Sequence, residues 1–523
     1  PLNRRIVICT MFALRNASWL STLAALIHHA VSTNYYPPEQ IHINVGLTPD
    51  EMVFNWLTFD YPIQTASFVL LGESPHPSDF TMNISGEATL FTDCGELQSN
   101  RTIHVVKVNN LKASTLYYYQ VGAPHTGYSA VFSFTTPPNA ATLSSSLPHH
   151  FIVYGDMGTT NTQACGPVTE MVLDGDINAI IHAGDMAYNM YENNGTTGDQ
   201  FMRDISAAAS YVPYMVAHGN HEAYYNFSHY TQRFRGQPLP AKPAPQTIYT
   251  QSGEAPNNWF YSFNYGLVHF VALSSEIYFD FPWLIPIQYE WLENDLQSAN
   301  KNRTQAPWVV VYHHRPLYCT GTGSECEDQA ATMRQGVMVN GSYQYSLEEV
   351  YYKYGVDFVY NGHVHNYERV YDVYKHDTDQ KTTNMTATTY IVNGDAGNRE
   401  GHHTFGAFDP SWSAYRTTTY SFSKFSVYNS THIHLQQITA DSELPPSEQG
   451  KVFDDVWFIQ HNHGPFAEGA AMVASHDANK CVTYDPYKEY GIEMKIAEPE
   501  EDVPIPYISD NKDDYKGMDG VHF

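Results

Sequence analysis

The sequence predicts two successive domains, an antiparallel β-sandwich followed by an α/β domain with helices on both sides of its sheet structure. The chain has 523 residues, 42% hydrophobic and 16% charged, which suits two or more domains and excludes a disordered chain. Short apolar segments alternate with turn residues over residues 41–136. From residue 149 onward, continuous apolar β-branched runs alternate with helix-like stretches, a pattern typical of a covered sheet.

The predicted β-sandwich occupies residues 37–137. Period-two alternation with frequent turns is typical of an antiparallel sandwich of about a hundred residues. Its predicted strands lie in the segments IHINV, MVFNWLTF, ASFVLLG, ATLFTD, IHVVKV and TLYYYQV. The run PPNAATLSSSLP at 137–148 is then a linker.

The predicted α/β domain occupies residues 149–440. Its apolar runs end abruptly in polar residues, as in FIVYGD, AIIHAGD, VPYMVAHGNHE, VHFVAL, WVVVYHH, DFVYNGHVH and TYIVNGD. Helices are predicted between them, in TQACGPVTEMVLDG, PIQYEWLENDLQSA and SLEEVYYKYG. Ligands in such folds bind beyond the carboxyl ends of the strands, so these polar clusters are candidate site residues.

Two further segments flank the domains. Residues 1–36 contain the apolar runs IVICTMFAL and WLSTLAALI, neither long enough to span a bilayer. We interpret this segment as the remnant of a signal region or as an N-terminal amphipathic helix. Residues 441–523 form a C-terminal extension with an acidic tail. No other segment has the pattern of a transmembrane helix.

The net charge of the chain disfavours two classes of binding partner. Lys+Arg 27 against Asp+Glu 55 gives 27 − 55 = −28 at pH 7 with His neutral. A nucleic-acid partner requires a basic surface, and an anionic membrane surface is disfavoured for the same reason. An anionic substrate would therefore need another source of attraction, and the 26 histidines point to bound metal.

Sequons and cysteines bear on the compartment. Asn-x-Ser/Thr occurs at Asn16, Asn83, Asn100, Asn194, Asn226, Asn302, Asn340, Asn384 and Asn429. With the low Lys content, these sites favour a secreted or extracellular, or else lysosomal or vacuolar, glycoprotein with N-linked glycans. Cys319 and Cys326 enclose a short Gly-rich loop; a local disulfide and two buried thiols are both compatible with this spacing.

The strand-end residues form a candidate metal-ligand set. Its members are Asp156, Asp185, Tyr188, Asn220, His314, His363 and His365. Seven ligands are more than one ion can use beside water and substrate, and they fit a dinuclear centre with one bridging carboxylate. A phenol with an ordinary pKa near 10 is a poor ligand for Mg²⁺ or Zn²⁺ at acidic pH, so Tyr188 points to a trivalent ion such as Fe(III).

The ordered motifs GDMG, GDMAY, GNHE, HHRP and GHVH resemble those of the metallophosphoesterases in their purple acid phosphatase form. The spacing GD-x-x-Y, which supplies the tyrosine, separates that branch from the others. PPEQIHINVG, NGDAGNREG and NSTHIHLQQ are also similar to family segments. The resemblance implies a fibronectin-III-like β-sandwich followed by a metallophosphoesterase αββα sandwich domain. Dimers are common among the larger members, although no residue here argues for a homodimer.

The resemblance also implies roles. Asp156, Asp185, Tyr188 and His365 would bind Fe(III), and Asp185 would bridge to a second ion, Fe(II), Zn or Mn. Asn220, His314 and His363 would complete the second position. His221 would be catalytic, contacting the substrate phosphate together with Asn220 and protonating the leaving alkoxide.

One departure concerns the loop after HHRP. Plant-type members carry a His pair there, whereas this loop reads LYCTGTGSECEDQ and contains no His. Candidate substitutes for that pair in substrate binding are His218, His313, Tyr367 and Arg369. For Arg369, a structural ion pair is the alternative to a substrate contact.

The resulting hypothesis is an acid phosphatase that hydrolyses small phosphate monoesters by direct attack of a metal-bound hydroxide. A phosphodiesterase or a nucleotide pyrophosphatase on the same scaffold is the first alternative. A catalytically inert binding glycoprotein is the second, although none of the seven predicted ligands is missing.

Overall fold

The structure is a computed structural model that describes residues 36–60, 63, 66–124 and 126–466. The predicted N-terminal segment, apart from residue 36, and the acidic tail lie outside the described residues. Among the residues that are described, no helix has the length and apolar character needed to cross a bilayer.

The N-terminal domain is a β-sandwich. Its strands are β1 Glu39–Val45, β2 Met52–Thr58, β3 Phe68–Gly72, β4 Met82–Ser85, β5 Glu87–Thr92, β6 Asn100–Val108, β7 Leu116–Ala123, β8 Gly127–Tyr128 and β9 Phe132–Thr135. One sheet has the order β1-β2-β6-β5; the other has the order β4-β3-β7-β8, with β9 also paired to β7. Each of the six segments predicted as strands contains one strand of the structure. The short strands β4, β8 and β9 were not predicted. Trp56 and Tyr119 are fully buried in the core of this domain.

The second domain contains the remaining elements. Its strands are β10 His149–Tyr154, β11 Ala179–Ala183, β12 Tyr214–Ala217, β13 Thr247–Thr250, β14 Gly253–Pro256, β15 Tyr261–Tyr265, β16 Val268–Ala272, β17 Trp308–Tyr312, β18 Val337–Val339, β19 Ser342–Gln344, β20 Phe358–Asn361, β21 Tyr367–Tyr374, β22 Asp377–Thr378, β23 Thr388–Asn393, β24 Ser413–Thr417, β25 Ser421–Val427, β26 His432–Thr439 and β27 Val452–Ile459. The helices are α1 Leu143–Ser146 in the linker, then α2 Cys165–Leu173, α3 Thr196–Ala209, α4 Tyr224–Arg233, α5 Ile285–Lys301, α6 Ala330–Gln335 and α7 Leu347–Tyr354.

Two large sheets form the centre of this domain. One has the order β12-β11-β10-β25-β26-β27, and the other has the order β15-β16-β17-β20-β23-β21-β22 with β24 beside β21. Strands β10, β11 and β12 are parallel, as are β16, β17, β20 and β23, and antiparallel strands extend both sheets. Parallel neighbours bring their carboxyl ends to one edge, which is where the predicted site residues follow.

The sheets pack against each other through one face and against helices through the other. On β10, Phe151 faces the second sheet, with its ring 5.0 Å from that of Phe270 on β16. Ile152 lies instead in the core that contains residues of α2 and α3. Burial of both faces accounts for the continuously apolar strands and gives the αββα arrangement expected from the resemblance.

The predicted boundary after residue 440 falls inside this sheet structure and is corrected here. Strand β27 pairs antiparallel with β26, with Ile433 opposite Phe458. The segment 452–459 therefore extends the first large sheet, because Phe458 is buried against Phe358 on β20 of the second sheet, with the two rings 4.9 Å apart.

Buried polar contacts fix the two domains to each other. Arg101 on β6 forms an ion pair of 2.7 Å with Asp199 on α3, and Arg233 on α4 approaches the same carboxylate at 2.8 Å. Tyr119 on β7 donates to the carbonyl of Ser210 at 2.7 Å. The sandwich is thus attached to the part of the second domain that follows β11.

Cys319 and Cys326 form a disulfide, which decides between the two alternatives left open by the sequence. Of the other cysteines that the structure describes, Cys94 and Cys165 are free thiols. The disulfide lies in the loop between β17 and α6, close to the site described below.

Candidate metal centre

The predicted ligands follow strand ends at a single edge of the two sheets. Asp156 comes two residues after β10, Asp185 two residues after β11, and Asn220 three residues after β12. From the second sheet, His314 follows β17, and His363 follows β20. The parallel pairing of these strands therefore brings together residues that are far apart in the chain.

Four of these residues adopt a left-handed backbone conformation. The φ angles are 61° at Asp156, 49° at Asp185, 47° at Tyr188 and 70° at His363. Non-glycine residues rarely occupy this region, and such strain is concentrated at functional sites. The strand ends thus turn sharply to direct these side chains into a common space.

Glycines in the motifs permit the close approach of the chain segments. A Cβ at Gly362 would lie 2.2 Å from Oδ2 of Asp156, and one at Gly219 would lie 2.3 Å from Oδ1 of Asp185. The glycine in GNHE and the one in GHVH therefore leave the space that the carboxylates occupy.

Asp156, Tyr188 and His365 form the first group of predicted ligands. The phenol of Tyr188 donates to Oδ1 of Asp156 at 3.0 Å, and the phenol oxygen lies 2.9 Å from Nε2 of His365. Asp156 and Tyr188 are 0% and 1% exposed. Burial, and then the carboxylates of Asp156 and Asp185, raise the pKa of Tyr188 well above its usual value.

Asp185, Asn220, His314 and His363 form the second group. Nε2 of His314 lies 3.0 Å from Oδ2 of Asp185 and 3.1 Å from Oδ1 of Asn220. Nδ1 of His363 lies 3.2 Å from the same Nε2. The ligand atoms of Asp185, His314 and His363 all lie within 4.8 Å of one another, a spacing that one ion can bridge.

Each of the three ligand imidazoles has one nitrogen bonded to a protein oxygen. Nδ1 of His314 donates to the carbonyl of Ala183 at 3.0 Å, and Nδ1 of His365 donates to the carbonyl of Gly401 at 3.1 Å. Nε2 of His363 contacts Oε1 of Gln329 at 3.0 Å. The carbonyl acceptors require an N–H at Nδ1 of His314 and of His365, so Nε2 of each of these two rings keeps its lone pair for a metal. Nε2 of His363 also lies 3.2 Å from the Arg315 guanidinium, and Nδ1 is the nitrogen of this ring that faces His314.

Buried charge in the cluster also fits a metal. Burial disfavours the charged form of His314, but the carboxylates of Asp185 and Asp156 raise its pKa to about 10. Burial likewise opposes ionisation of Asp185, yet the imidazoles of His314 and His221 hold the pKa of this carboxyl well below its usual range. The two buried carboxylates thus demand positive charge beside them, and bound cations would supply it. The oxygen and nitrogen donors present are suited to two ions.

His221 lies at the edge of the cluster and is partly accessible. Its Nδ1 contacts Oδ1 of Asn189 at 2.6 Å, and its ring lies 4.3 Å from that of Tyr188. Nε2 lies 3.9 Å from Asp185 and 3.5 Å from Glu400. With Nδ1 committed to an amide oxygen, Nε2 is the atom directed towards solvent and the ligand cluster.

Glu222, in the same motif, was not assigned a role by sequence reasoning. Its carboxylate accepts the backbone N–H groups of Asp185 at 3.0 Å, Met186 at 2.9 Å and Gly219 at 2.9 Å. Burial, and then the Asp185 carboxylate, raise the pKa of Glu222 to about 8, although the Met186 and Gly219 N–H groups act in the opposite direction. The side chain connects the Asp185 turn to the Asn220 turn.

Of the four candidates for an additional substrate contact, two form a buried polar cluster with Asp454 and two are fully buried imidazoles. Arg369 forms a buried ion pair of 2.7 Å with Asp454, and Tyr367 donates to the same carboxylate at 2.8 Å. Arg369 therefore has the structural ion pair that was its alternative role. His313 and His218 are each 0% exposed, and burial lowers the pKa of both to about 3. The substrate contacts predicted for Arg369 and His313 have no support from this geometry.

Sequence reasoning also missed the residues that surround the ligands. Gln329 contacts His363, and Arg315 donates to Oε1 of Gln329 and is held by Glu276 at 2.8 Å. Asn189 and Glu400 contact His221. Gln329 and Glu400 are remote in sequence from the motifs. Arg315 lies within HHRP and Asn189 directly follows GDMAY, but the motif resemblance assigned neither of them a role.

Comparison with known proteins agrees with this geometry. The family described as "Calcineurin-like phosphoesterase" matches residues 149–367, "Purple acid Phosphatase, N-terminal domain" matches 38–136, and "Iron/zinc purple acid phosphatase-like protein C" matches 387–455. Human "Acid phosphatase type 7" is 34% identical over 432 residues, 81% of this chain and 91% of the relative. "Probable purple acid phosphatase 20" of Arabidopsis thaliana is 31% identical over 80% of this chain and 87% of its own.

A solved structure supports the fold. Purple acid phosphatase PPD1 from yellow lupin seeds superposes with a TM-score of 0.62 and 21% identity, over 81% of this chain and 75% of that one. The fold and the ligand cluster together define a calcineurin-like metallophosphoesterase. More specifically, the chain belongs to the purple acid phosphatase family and is an acid phosphatase with a dinuclear metal centre.

Proposed function

We propose that this enzyme hydrolyses small phosphate monoesters, with Asp156, Tyr188 and His365 holding one metal ion and Asn220, His314 and His363 the other. Asp185 would be shared between them. The observation that carries the proposal is the convergence of all seven donors at one sheet edge, with each imidazole oriented by a protein oxygen. Asn220 and His221 would also bind the substrate phosphate.

The bound ions would supply Lewis acidity and an activated water near neutral or acidic pH. Tyr188 favours Fe(III) in the first group, because a trivalent ion stabilises a phenolate that burial otherwise disfavours. The description of the C-terminal family as "Iron/zinc purple acid phosphatase-like" is compatible with Fe(II), Zn or Mn in the second group.

His221 would act as the general acid. Its Nε2 faces the ligand cluster, while Asn189 orients the ring through Nδ1 at 2.6 Å. A proton donor must lie within hydrogen-bond reach of the leaving oxygen, and Nε2 is the ring atom placed for that contact.

We further propose that the protein is a secreted glycoprotein. The disulfide between Cys319 and Cys326 suits an oxidising compartment. Among the sequon asparagines that the structure describes, five are exposed, namely Asn83, Asn226, Asn340, Asn384 and Asn429. A mass decrease on glycosidase treatment of protein from a eukaryotic host would support this, and an unchanged mass would contradict it.

The activity test compares an aryl phosphate monoester with its diester at pH 5 and pH 7.5. We expect rapid monoester hydrolysis at pH 5 that is lost in Asp185→Asn together with bound metal. Preferential diester hydrolysis at pH 7.5 would favour a phosphodiesterase instead. Absence of turnover in protein with both metals bound would contradict the enzymatic proposal.

A further inference from the structure

Glu400 places a carboxylate beside the proton donor proposed for the reaction. Its Oε1 lies 3.5 Å from Nε2 of His221, and its side chain is 44% exposed. It lies between β23 and β24, in a segment of the chain separate from the GNHE turn that carries His221. The contact therefore joins two segments of the chain that are distant in sequence.

The segment that carries Glu400 is fixed on both sides. The backbone N–H groups of Glu400 and Gly401 donate to Oδ1 of Asn398 at 2.8 and 3.2 Å. The carbonyl of Gly401 accepts from Nδ1 of His365. Arg399 forms an ion pair of 2.7 Å with Glu192. These contacts hold the backbone at Glu400 in place relative to the ligand cluster.

Glu400 has His221 as an ion-pair partner when that imidazole is protonated, while the neighbouring Arg399 pairs with Glu192. Arg315, the arginine that contacts His363, is neutralised by Glu276 at 2.8 Å.

The position of the leaving group follows from the role of His221. A general acid must contact the leaving oxygen, and in the proposed function the phosphate would bind at the metal ligands. The alcohol portion of the ester then extends from Nε2 of His221 past the carboxylate of Glu400. A negative group close to the ester oxygen would meet that carboxylate, whereas an ammonium group would be attracted to it.

We infer that Glu400 is a specificity-determining residue that selects phosphate monoesters with a neutral or cationic alcohol portion and disfavours those with a carboxylate or second phosphate near the ester oxygen. This inference rests on the proposed monoesterase function. It narrows the substrate class to phosphorylated alcohols and amino alcohols, as distinct from phosphorylated hydroxy acids and polyphosphates.

Three small substrates that differ mainly in the charge of the leaving alcohol provide the test. They are O-phosphoethanolamine, ethyl phosphate and phosphoglycolate. We expect wild-type kcat/KM to be higher for phosphoethanolamine than for phosphoglycolate. In Glu400→Gln this ratio is expected to fall about tenfold, because one like-charge repulsion and one attraction are removed at a partly exposed position. The rate for ethyl phosphate is expected to change less than about threefold.

Two controls separate charge from structure. Glu73→Gln removes an exposed carboxylate of the sandwich domain that pairs with Lys112, and it should leave the ratio unchanged. At 1 M salt, where the screening length is about 3 Å, the wild-type ratio should approach that of Glu400→Gln. A purely structural role for Glu400 would not produce this salt dependence.

The two proposals fail in different ways. An equal ratio in wild type and Glu400→Gln, or a wild-type preference for phosphoglycolate, would overturn the inference about Glu400 while leaving the monoesterase intact. No turnover of any of the three esters, or of an aryl phosphate, in protein with both metals bound would overturn the proposed function itself.

Discussion

The carboxylate of Glu222 accepts the backbone N–H of Asp185 at 3.0 Å, and the same oxygen accepts that of Gly219 at 2.9 Å. A single buried side chain thereby holds two turns in register, one carrying the predicted bridging ligand and the other carrying Asn220. Because ligand orientation determines metal affinity, Glu222 is a positioning residue for the centre.

Glu222→Gln is expected to weaken metal retention by roughly 10- to 100-fold, since an amide side chain supplies a single oxygen acceptor for the three N–H groups. Metal content after equilibrium dialysis, measured by mass spectrometry, provides the readout. Glu73→Gln serves as the matched control, because this carboxylate lies on the other domain. Full metal content in Glu222→Gln would show that the two turns hold their geometry without this carboxylate.

His221→Ala should retain both metals while kcat falls by roughly 10²–10⁴, as expected for loss of a general acid. The backbone N–H of His221 donates to Oδ1 of Asp185 at 2.9 Å, and alanine preserves this contact. Metal analysis and steady-state kinetics on the same preparation provide the measurement. Metal loss in this variant would instead assign His221 to the coordination sphere.

The strand ends of the second domain were predictable from sequence because burial on both sides leaves a clear pattern. Asp156, Asp185 and His314 each follow an uninterrupted apolar strand, and parallel pairing forces such positions to one edge. The sandwich strands were predictable from their period-two alternation. The short strands β4, β8 and β9 were missed because each has only two to four residues, too few to establish a period.

The residues that orient the ligands could not be predicted in the same way. Gln329 reaches His363 from a π-helical turn at 325–329, and no periodicity connects that turn with the GHVH motif. Glu400 reaches His221 through a loop whose course depends on tertiary contacts. Arg369 and His313 show the opposite error, because polar residues near a motif were considered for substrate contact although tertiary packing buries them.

Gln329→Leu should selectively weaken metal binding in the second group. Oε1 of Gln329 lies 3.0 Å from Nε2 of His363 and also accepts from Arg315. Without this acceptor, the Arg315 donor remains 3.2 Å from Nε2 and favours a proton on Nδ1, the nitrogen needed by the metal, with an expected loss of about 10- to 100-fold in affinity.

Titration of the second ion into protein with only the Tyr188 group loaded provides the measurement for Gln329→Leu. Visible absorption from the tyrosine ligand reports on the first group and is expected to stay unchanged. Gln335→Leu, at an exposed position at the end of α6, is the control. Equal affinities in the two variants would contradict the role given to Gln329.

Asp199→Asn should destabilise the interface between the two domains. Asp199 is 1% exposed and its carboxylate pairs with both Arg101 and Arg233, so the variant removes the charge that two buried guanidinium groups contact directly. Breaking such a buried pair costs about 3–5 kcal/mol. Urea unfolding followed by tryptophan fluorescence measures the change.

The matched control for Asp199→Asn is Glu39→Gln. Glu39 on β1 pairs with Arg203 on α3 at 2.8 Å and also joins the two domains, but at a partly exposed position. Exposed ion pairs contribute about 0–1 kcal/mol, so this variant should unfold close to wild type. Similar destabilisation in both variants would show that burial of the Asp199 cluster is not the determining factor.

Stability should decrease at acidic pH in part because of His42. This imidazole is 2% exposed and lies 5.5 Å from the ring of Phe234, with one contact from Nδ1 to the carbonyl of Gln40. Burial lowers its pKa from 6.5 to about 4, although the Gln40 contact acts in the opposite direction. The unfolded chain therefore binds a proton more readily than the folded one between these values. The stability from the neutral buried ring is complete above pH 6.5 and is lost as the pH falls towards 4.

His42→Phe removes this titration. The decrease in unfolding free energy between pH 7 and pH 4.5 should become smaller by about 2–3 kcal/mol in the variant than in wild type. Comparing two pH values within each protein cancels the packing change, which affects both measurements alike. Urea unfolding at the two pH values tests this, with His76→Gln at an exposed position as control. His42 contributes to the acid sensitivity only because its buried site disfavours the protonated ring. An unchanged pH difference in His42→Phe would therefore mean that other groups cause the loss of stability at acidic pH.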